Sequence, residues 1–173
     1  DSFEIDLTDI GADVTGVMVD GNDLHDFTVL KSYSVDTIII KDANDETATV
    51  NEVADQSTIT LQGSEDLVVT MRGGADNELT VAVSSITDAD IAVDTNVDDL
   101  TISSVGSSAN VIANLNAASA ETLQLTGMQD LEIEEEIGMG GLAKIATVSG
   151  GAAAGDLRLT LNGTNIETVT LGD

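Results

Sequence analysis

The residues best suited to chemistry are the Asp and Asn side chains gathered with Gly between apolar stretches. The densest set is Val19-Asp20-Gly21-Asn22-Asp23-Leu24, followed closely by Asp26. Asp42-Ala43-Asn44-Asp45-Glu46, Gly73-Gly74-Ala75-Asp76-Asn77, Gly150-Gly151-Ala152-Ala153-Ala154-Gly155-Asp156 and Leu171-Gly172-Asp173 repeat the theme. Carboxylates, Asn amides and backbone carbonyls are the hard oxygen donors that calcium takes six to eight at a time, and Gly permits the backbone angles that converge them. Asp20, Asn22, Asp23, Asp26, Asp42, Asn44, Asp45, Asp76, Asn77, Asp156 and Asp173 are therefore the expected calcium ligands. The competing reading is that Asp, Asn and Gly are the ordinary residues of turns. Asp88, Asp90, Asp94, Asn96, Asp98 and Asp99 flank another apolar stretch and would face an ion or open water.

Other chemistry is excluded by what the chain lacks. It has no Cys, so disulfides, thiol catalysis and Cys-ligated metals are out, and one His cannot build a His-rich zinc or iron site. That residue, His25, stands between Asp23 and Asp26 and reads as a turn His rather than a catalytic base. Carboxylates are so numerous that no pair stands out as a glycosidase couple. A sugar-cleaving site usually offers aromatic platforms and basic groups. This chain has only Phe3, Phe27 and Tyr33, with Lys31, Lys41, Arg72, Lys144 and Arg158. No enzymatic activity is expected.

The charge balance has its own consequence. With 32 Asp and Glu against 5 Lys and Arg the net charge is -27 over 173 residues, which disfavours nucleic acid as a partner. The 42% hydrophobic content is too high for a chain that stays unfolded for lack of apolar surface. A folded object at -27 repels itself, and bound cations or a salty medium relieve the repulsion. No apolar run approaches the roughly 18 residues of a membrane-spanning helix, so membrane insertion is not expected. The opening Asp-Ser-Phe-Glu-Ile-Asp-Leu lacks the basic and apolar regions of a secretory leader, so a leader is expected to be absent or removed.

The elements that must position the turns are strands. Period-2 alternation recurs in Phe3-Ile5-Leu7, Val17-Val19, Leu79-Val81-Val83, Ile91-Val93, Leu100-Ile102, Leu157-Leu159-Leu161 and Val169-Leu171, with Val, Ile and Thr enriched. Only 109–123 offers a competing short helix. Strand centres near 5, 18, 28, 39, 50, 60, 69, 81, 92, 102, 113, 124, 133, 146, 159 and 170 are spaced by about 11 residues.

A longer period overlies this one. Ile59–Leu67 matches Leu123–Leu131, so Gly63 falls on Gly127 and Asp66 on Asp130, an offset of 64. At the same offset Leu79–Ser85 falls on Ala143–Ser149. Asp90-Ile91 then matches Asp156-Leu157 at 66, and Asn96-Val97-Asp98 matches Asn165-Ile166-Glu167 at 69. Two strands per coil and three coils of about 22 residues account for both periods in an all-β, parallel β-solenoid. Some 16 strands would build about eight coils and a rod about 40 Å long. An antiparallel β-sandwich is the alternative, because period 2 does not distinguish strand direction. The expected organisation is a set of N-terminal capping strands over 1–34, where Phe3, Phe27 and Tyr33 would plug the core, followed by a repetitive solenoid over 35–173. Its internal repeat of about 64–69 residues covers about 35–105 and 99–173. Asn162-Gly163-Thr164 is both an Asn-Gly turn and an N-glycosylation sequon.

The Gly- and Asp-rich turns resemble degenerate forms of the nonapeptide repeat of RTX proteins. Asp20–Leu24 keeps the Asp-Gly-Asn-Asp-Leu core without the leading Gly pair, and Gly73–Val81 keeps Gly-Gly and Leu-Thr-Val without the second Gly. Units such as Glu121–Gly127 and Leu142–Gly151 are similar to the Thr/Ala/Gly-rich blocks of RTX-type bacterial S-layer proteins of the Caulobacter kind. The resemblance implies a secreted calcium-binding surface protein that assembles with itself into a layer or filament, and export by an uncleaved C-terminal signal. Ending within a turn at Leu171-Gly172-Asp173, the chain is expected to be a fragment or processed block. A cell-surface polysaccharide is the second expected partner. The alternative functions are a calcium-dependent adhesin or carbohydrate-binding module, and a halophilic or viral surface protein.

Overall fold

A computed structural model describes residues 3–6, 16–20, 27–30, 35–41, 47–63, 66–74, 77–93 and 95–172. They form 16 strands: β1 (Phe3–Asp6), β2 (Gly16–Asp20), β3 (Phe27–Leu30), β4 (Thr37–Lys41), β5 (Thr47–Val53), β6 (Ser57–Gln62), β7 (Asp66–Met71), β8 (Asn77–Ser84), β9 (Ala89–Val93), β10 (Val97–Val105), β11 (Asn110–Asn116), β12 (Thr122–Gly127), β13 (Leu131–Ile137), β14 (Thr147–Ala153), β15 (Leu157–Leu161) and β16 (Thr168–Leu171). The odd strands make one eight-stranded sheet and the even strands a second, each in chain order. Every pairing is parallel. Each coil therefore gives one strand to each sheet, and the repeat is about 21 residues. This is a parallel β-solenoid, not a sandwich of antiparallel sheets. The crossover that parallel strands require is supplied here by a strand of the opposite sheet.

Alternation decides which side chains fill the interior. In β4 the pattern places Ile38 and Ile40 inside and Thr37 and Ile39 outside, and β6 and β7 alternate in the same way. Parallel register then stacks like on like. Ile38 lies beside Ile59, then Val81, Ile102 and Leu125. In the facing sheet Val29 lies beside Val50, Val69 and Val93. A narrow interior filled by such ladders suits β-branched and Leu side chains, each contributing about 1.5–3 kcal/mol on full burial. The side chains of Phe3 and Phe27, and all of Tyr33, lie outside the described residues. β1, β2 and β3 pair directly with β3, β4 and β5.

The outward face of the even sheet is equally regular. One column runs Thr37, Thr58, Thr80, Thr101, Gln124 and Ser149. The next runs Met18, Ile39, Thr60, Ala82, Ser103 and Thr126.

The segment 109–123 holds β11 and the start of β12, as the strand centres near 113 and 124 anticipate, and not the competing helix. Strand placement otherwise differs at one corner. The centre expected near 146 falls just short of β14, because residues 138–146 widen one coil around a 3-10 turn at Gly140–Leu142. Leu142 and Ile145 of that insertion are buried, so apolar spacing there marks a core-filling corner. The insertion also moves a repeat match. Leu79 pairs with Leu100, Leu100 with Leu123 and Leu123 with Val148, so Leu79 corresponds to Val148 and not to Ala143. β14 continues through Gly150–Ala153, leaving only 154–156 as the turn. Among the described residues no helix is long and apolar enough to cross a membrane.

Candidate functional site

Of the expected calcium ligands, Asn22, Asp23, Asp26, Asp42, Asn44, Asp45, Asp76 and Asp173 lie outside the described residues. Asp20, Asn77 and Asp156 lie within them, at three separate places. Asp20 ends β2 beside Lys41 at the end of β4, with Lys41 Nζ 3.8 Å from Asp20 Oδ2. Both side chains are well exposed, so the pair contributes at most about 1 kcal/mol. Asn77 opens β8 and is buried, 5% exposed. Its Nδ2 donates to the Asn96 carbonyl at 2.7 Å, tying one coil to the next. Asp156 is exposed just before β15. Its backbone N–H donates to Asp130 Oδ1 at 2.9 Å, and its carbonyl accepts the Leu131 N–H at 2.9 Å.

Acidic side chains at the coil edges share this role. The Asp90 N–H donates to Asp66 Oδ1 at 2.9 Å, and the Glu78 N–H donates to Asp55 Oδ1 at 2.8 Å. Asn114 Nδ2 continues the first line upward by donating to Asp90 Oδ1 at 2.6 Å. A strand entering a parallel sheet presents backbone N–H groups that the previous coil does not automatically satisfy, and a carboxylate one coil below accepts them with charge assistance. Asp55, Asp66 and Asp130 are not among the expected ligands. The 64-residue repeat carries the signal for two of them, since it aligns Asp66 with Asp130.

One corner of the interior is polar. Asn110 is completely buried, and its Oδ1 accepts the Ile86 N–H at 3.1 Å while its Nδ2 donates to Ser104 Oγ at 2.8 Å. Ser104 Oγ in turn donates to the Asp130 carbonyl at 3.0 Å. Next to this corner a surface depression is lined by Asp130, Glu132, Asp156 and Arg158. Arg158 Nη1 lies 3.0 Å from Glu132 Oε1, so a protein cation already sits among these carboxylates.

Carboxylate oxygens are the main polar groups at these edges, with Lys41 and Arg158 among them. Among the described residues no group of three or more acidic or His side chains is gathered closely enough to hold a metal by itself. Asp residues stand instead one above another on successive coils, Asp90 on Asp66 and Asp156 on Asp130, joined by a backbone N–H to a carboxylate oxygen. No protein-family model matches this chain, nor does any curated protein or solved structure.

Proposed function

We propose that this chain is an extracellular structural protein that associates with copies of itself into a surface layer or filament, with calcium neutralising its acidic coil edges. The observation that carries the reading is the stacking of Asp residues on successive coils, Asp66 with Asp90 and Asp130 with Asp156, in a chain of net charge -27. Each of Asp66 and Asp130 uses Oδ1 to accept a backbone N–H, and a cation shared with the coil above would take the second oxygen. Calcium bound there would link coils and lower self-repulsion, stiffening the rod. The continuous parallel solenoid and the degenerate Gly/Asp turns support the likeness to RTX-type surface-layer proteins within this proposal. A passive scaffold needs only such a rigid, repetitive surface.

Light scattering with calcium and with EGTA tests the reading. Calcium is expected to raise both particle size and melting temperature. If EGTA leaves both unchanged, the calcium scaffold is wrong.

A further inference from the structure

The even sheet presents an outward face whose two central columns carry no charge. Its two central columns contain Thr, Ser, Gln, Ala, Ile and Met, and every charged residue of its strands stands near a strand end: Asp20, Lys41, Glu78, Asp98 and Asp99. The odd sheet has no such unbroken face, because β13 alone carries Glu132, Glu134, Glu135 and Glu136. On a chain with 32 acidic residues, two adjoining outward columns bare of carboxylates are an unusual surface. At one end it becomes apolar: Ile39 points outward and Met18 is 64% exposed.

We infer that this face docks against the same face of a second copy of the chain. The inference deepens the self-assembling reading and rests on it for the premise that copies associate. Two copies at -27 each repel, and the approach that opposes the uncharged columns keeps the carboxylates at the rims, where salt screens them. Size permits it. Eight strands at about 4.8 Å and two columns, about four residues of strand width, give on the order of 500 Å² per copy, or about 1,000 Å² in total, at the lower bound of a specific interface. Met is enriched in interface cores and charge is depleted there, as on this face. A face-to-face pair has two-fold symmetry, so residues near its axis meet their own copies. Thr101 on β10 is central, since β10 stands fourth from one end of the sheet.

The absence of Cys gives a clean test. Thr101→Cys is expected to form a disulfide-linked dimer under mild oxidation at least about tenfold faster than Glu134→Cys on the opposite sheet. In sedimentation runs at about 0.5 M NaCl, Thr60→Asp with Ser103→Asp is expected to weaken pairing at least about tenfold, with circular dichroism unchanged from wild type. Equal crosslinking at the two positions overturns the proposal, as does a wild-type protein that stays monomeric at every concentration. So does a monomer whose face shapes growing ice crystals in wild type but not in the Asp variant, because the occupant is then ordered water on a regular hydroxyl array. Calcium separates this contact from the wider reading. If pairing persists in EGTA while calcium builds nothing larger, the calcium layer falls and the face contact stands. If calcium assembles the Asp variant as readily as wild type, the face contact falls and the layer stands.

Discussion

The backbone N–H of Asp156 donates to Oδ1 of Asp130 at 2.9 Å, one coil below it. Three coils earlier the Asp90 N–H donates to Asp66 Oδ1 at the same distance. Asp130→Ala and Asp66→Ala are each expected to cost about 1 kcal/mol, and the Asp→Asn variants less, because the amide oxygen still accepts the bond. The two sites lie about 14 Å apart along the stack, so the double Ala variant should add to within about 0.5 kcal/mol. Urea denaturation measures both. Faster amide exchange at Asp156 in Asp130→Ala, with no change at Asp90, would locate the effect.

Gly127 and Gly151 should respond oppositely to Ala. Gly127 has φ 106°, and a Cβ there would overlap the Ser104 carbonyl oxygen and backbone nitrogen. Register explains the crowding, because Gly127 is paired with Ser104 across neighbouring coils. Gly127→Ala is expected to cost about 3 kcal/mol from left-handed backbone strain plus overpacking. Gly151 lies in β14 with no positive φ, and no atom stands within 4 Å of the place a methyl group would occupy. Gly151→Ala should therefore be neutral or stabilise by up to about 1 kcal/mol. Thermal melts of the two variants give the comparison.

The buried Asn110 should matter more than any surface Asp. Asn110→Leu removes the acceptor of the Ile86 N–H and the donor to Ser104 Oγ inside the core, at an expected cost of about 3 kcal/mol. Ser104→Ala removes the bonds to Asn110 and to the Asp130 carbonyl and should cost about half as much. If chemical denaturation reverses that order, Asn110 is not the hub of the corner.

Salt and calcium should stabilise by different amounts. At -27, raising NaCl from about 0.05 to about 1 M shortens the screening length from more than about 10 Å to about 3 Å and is expected to raise the melting temperature. Millimolar calcium should raise it further than NaCl of matched ionic strength, because bridging acts locally where screening is diffuse. Equal shifts at matched ionic strength would mean that the acidic edges are screened rather than bridged.

The solenoid is legible because its periods are those of the backbone. Alternation in residues such as Thr58-Ile59-Thr60-Leu61 fixes an inside and an outside, and spacing near 11 residues places one strand per half coil. The repeat placing Asp66 on Asp130 and Asp90 on Asp156 is also legible, and the two matching hydrogen bonds give it a physical cause. Residues 138–146 defeat the same reading, since Leu142 and Ile145 look like strand residues and serve instead as the filling of a widened corner.

By itself the sequence determined the strand periodicity of about 11 residues and the excess of acid, because both are properties of residues close along the chain. Only the tertiary structure decided strand direction, which period 2 leaves open, and the register that brings residues about 21 apart side by side. Register is a matter of long-range pairing. It sets Asp130 beneath Asp156, Gly127 beside Ser104 and one Thr of the uncharged columns beside the next, relations that the order of residues along the chain does not contain.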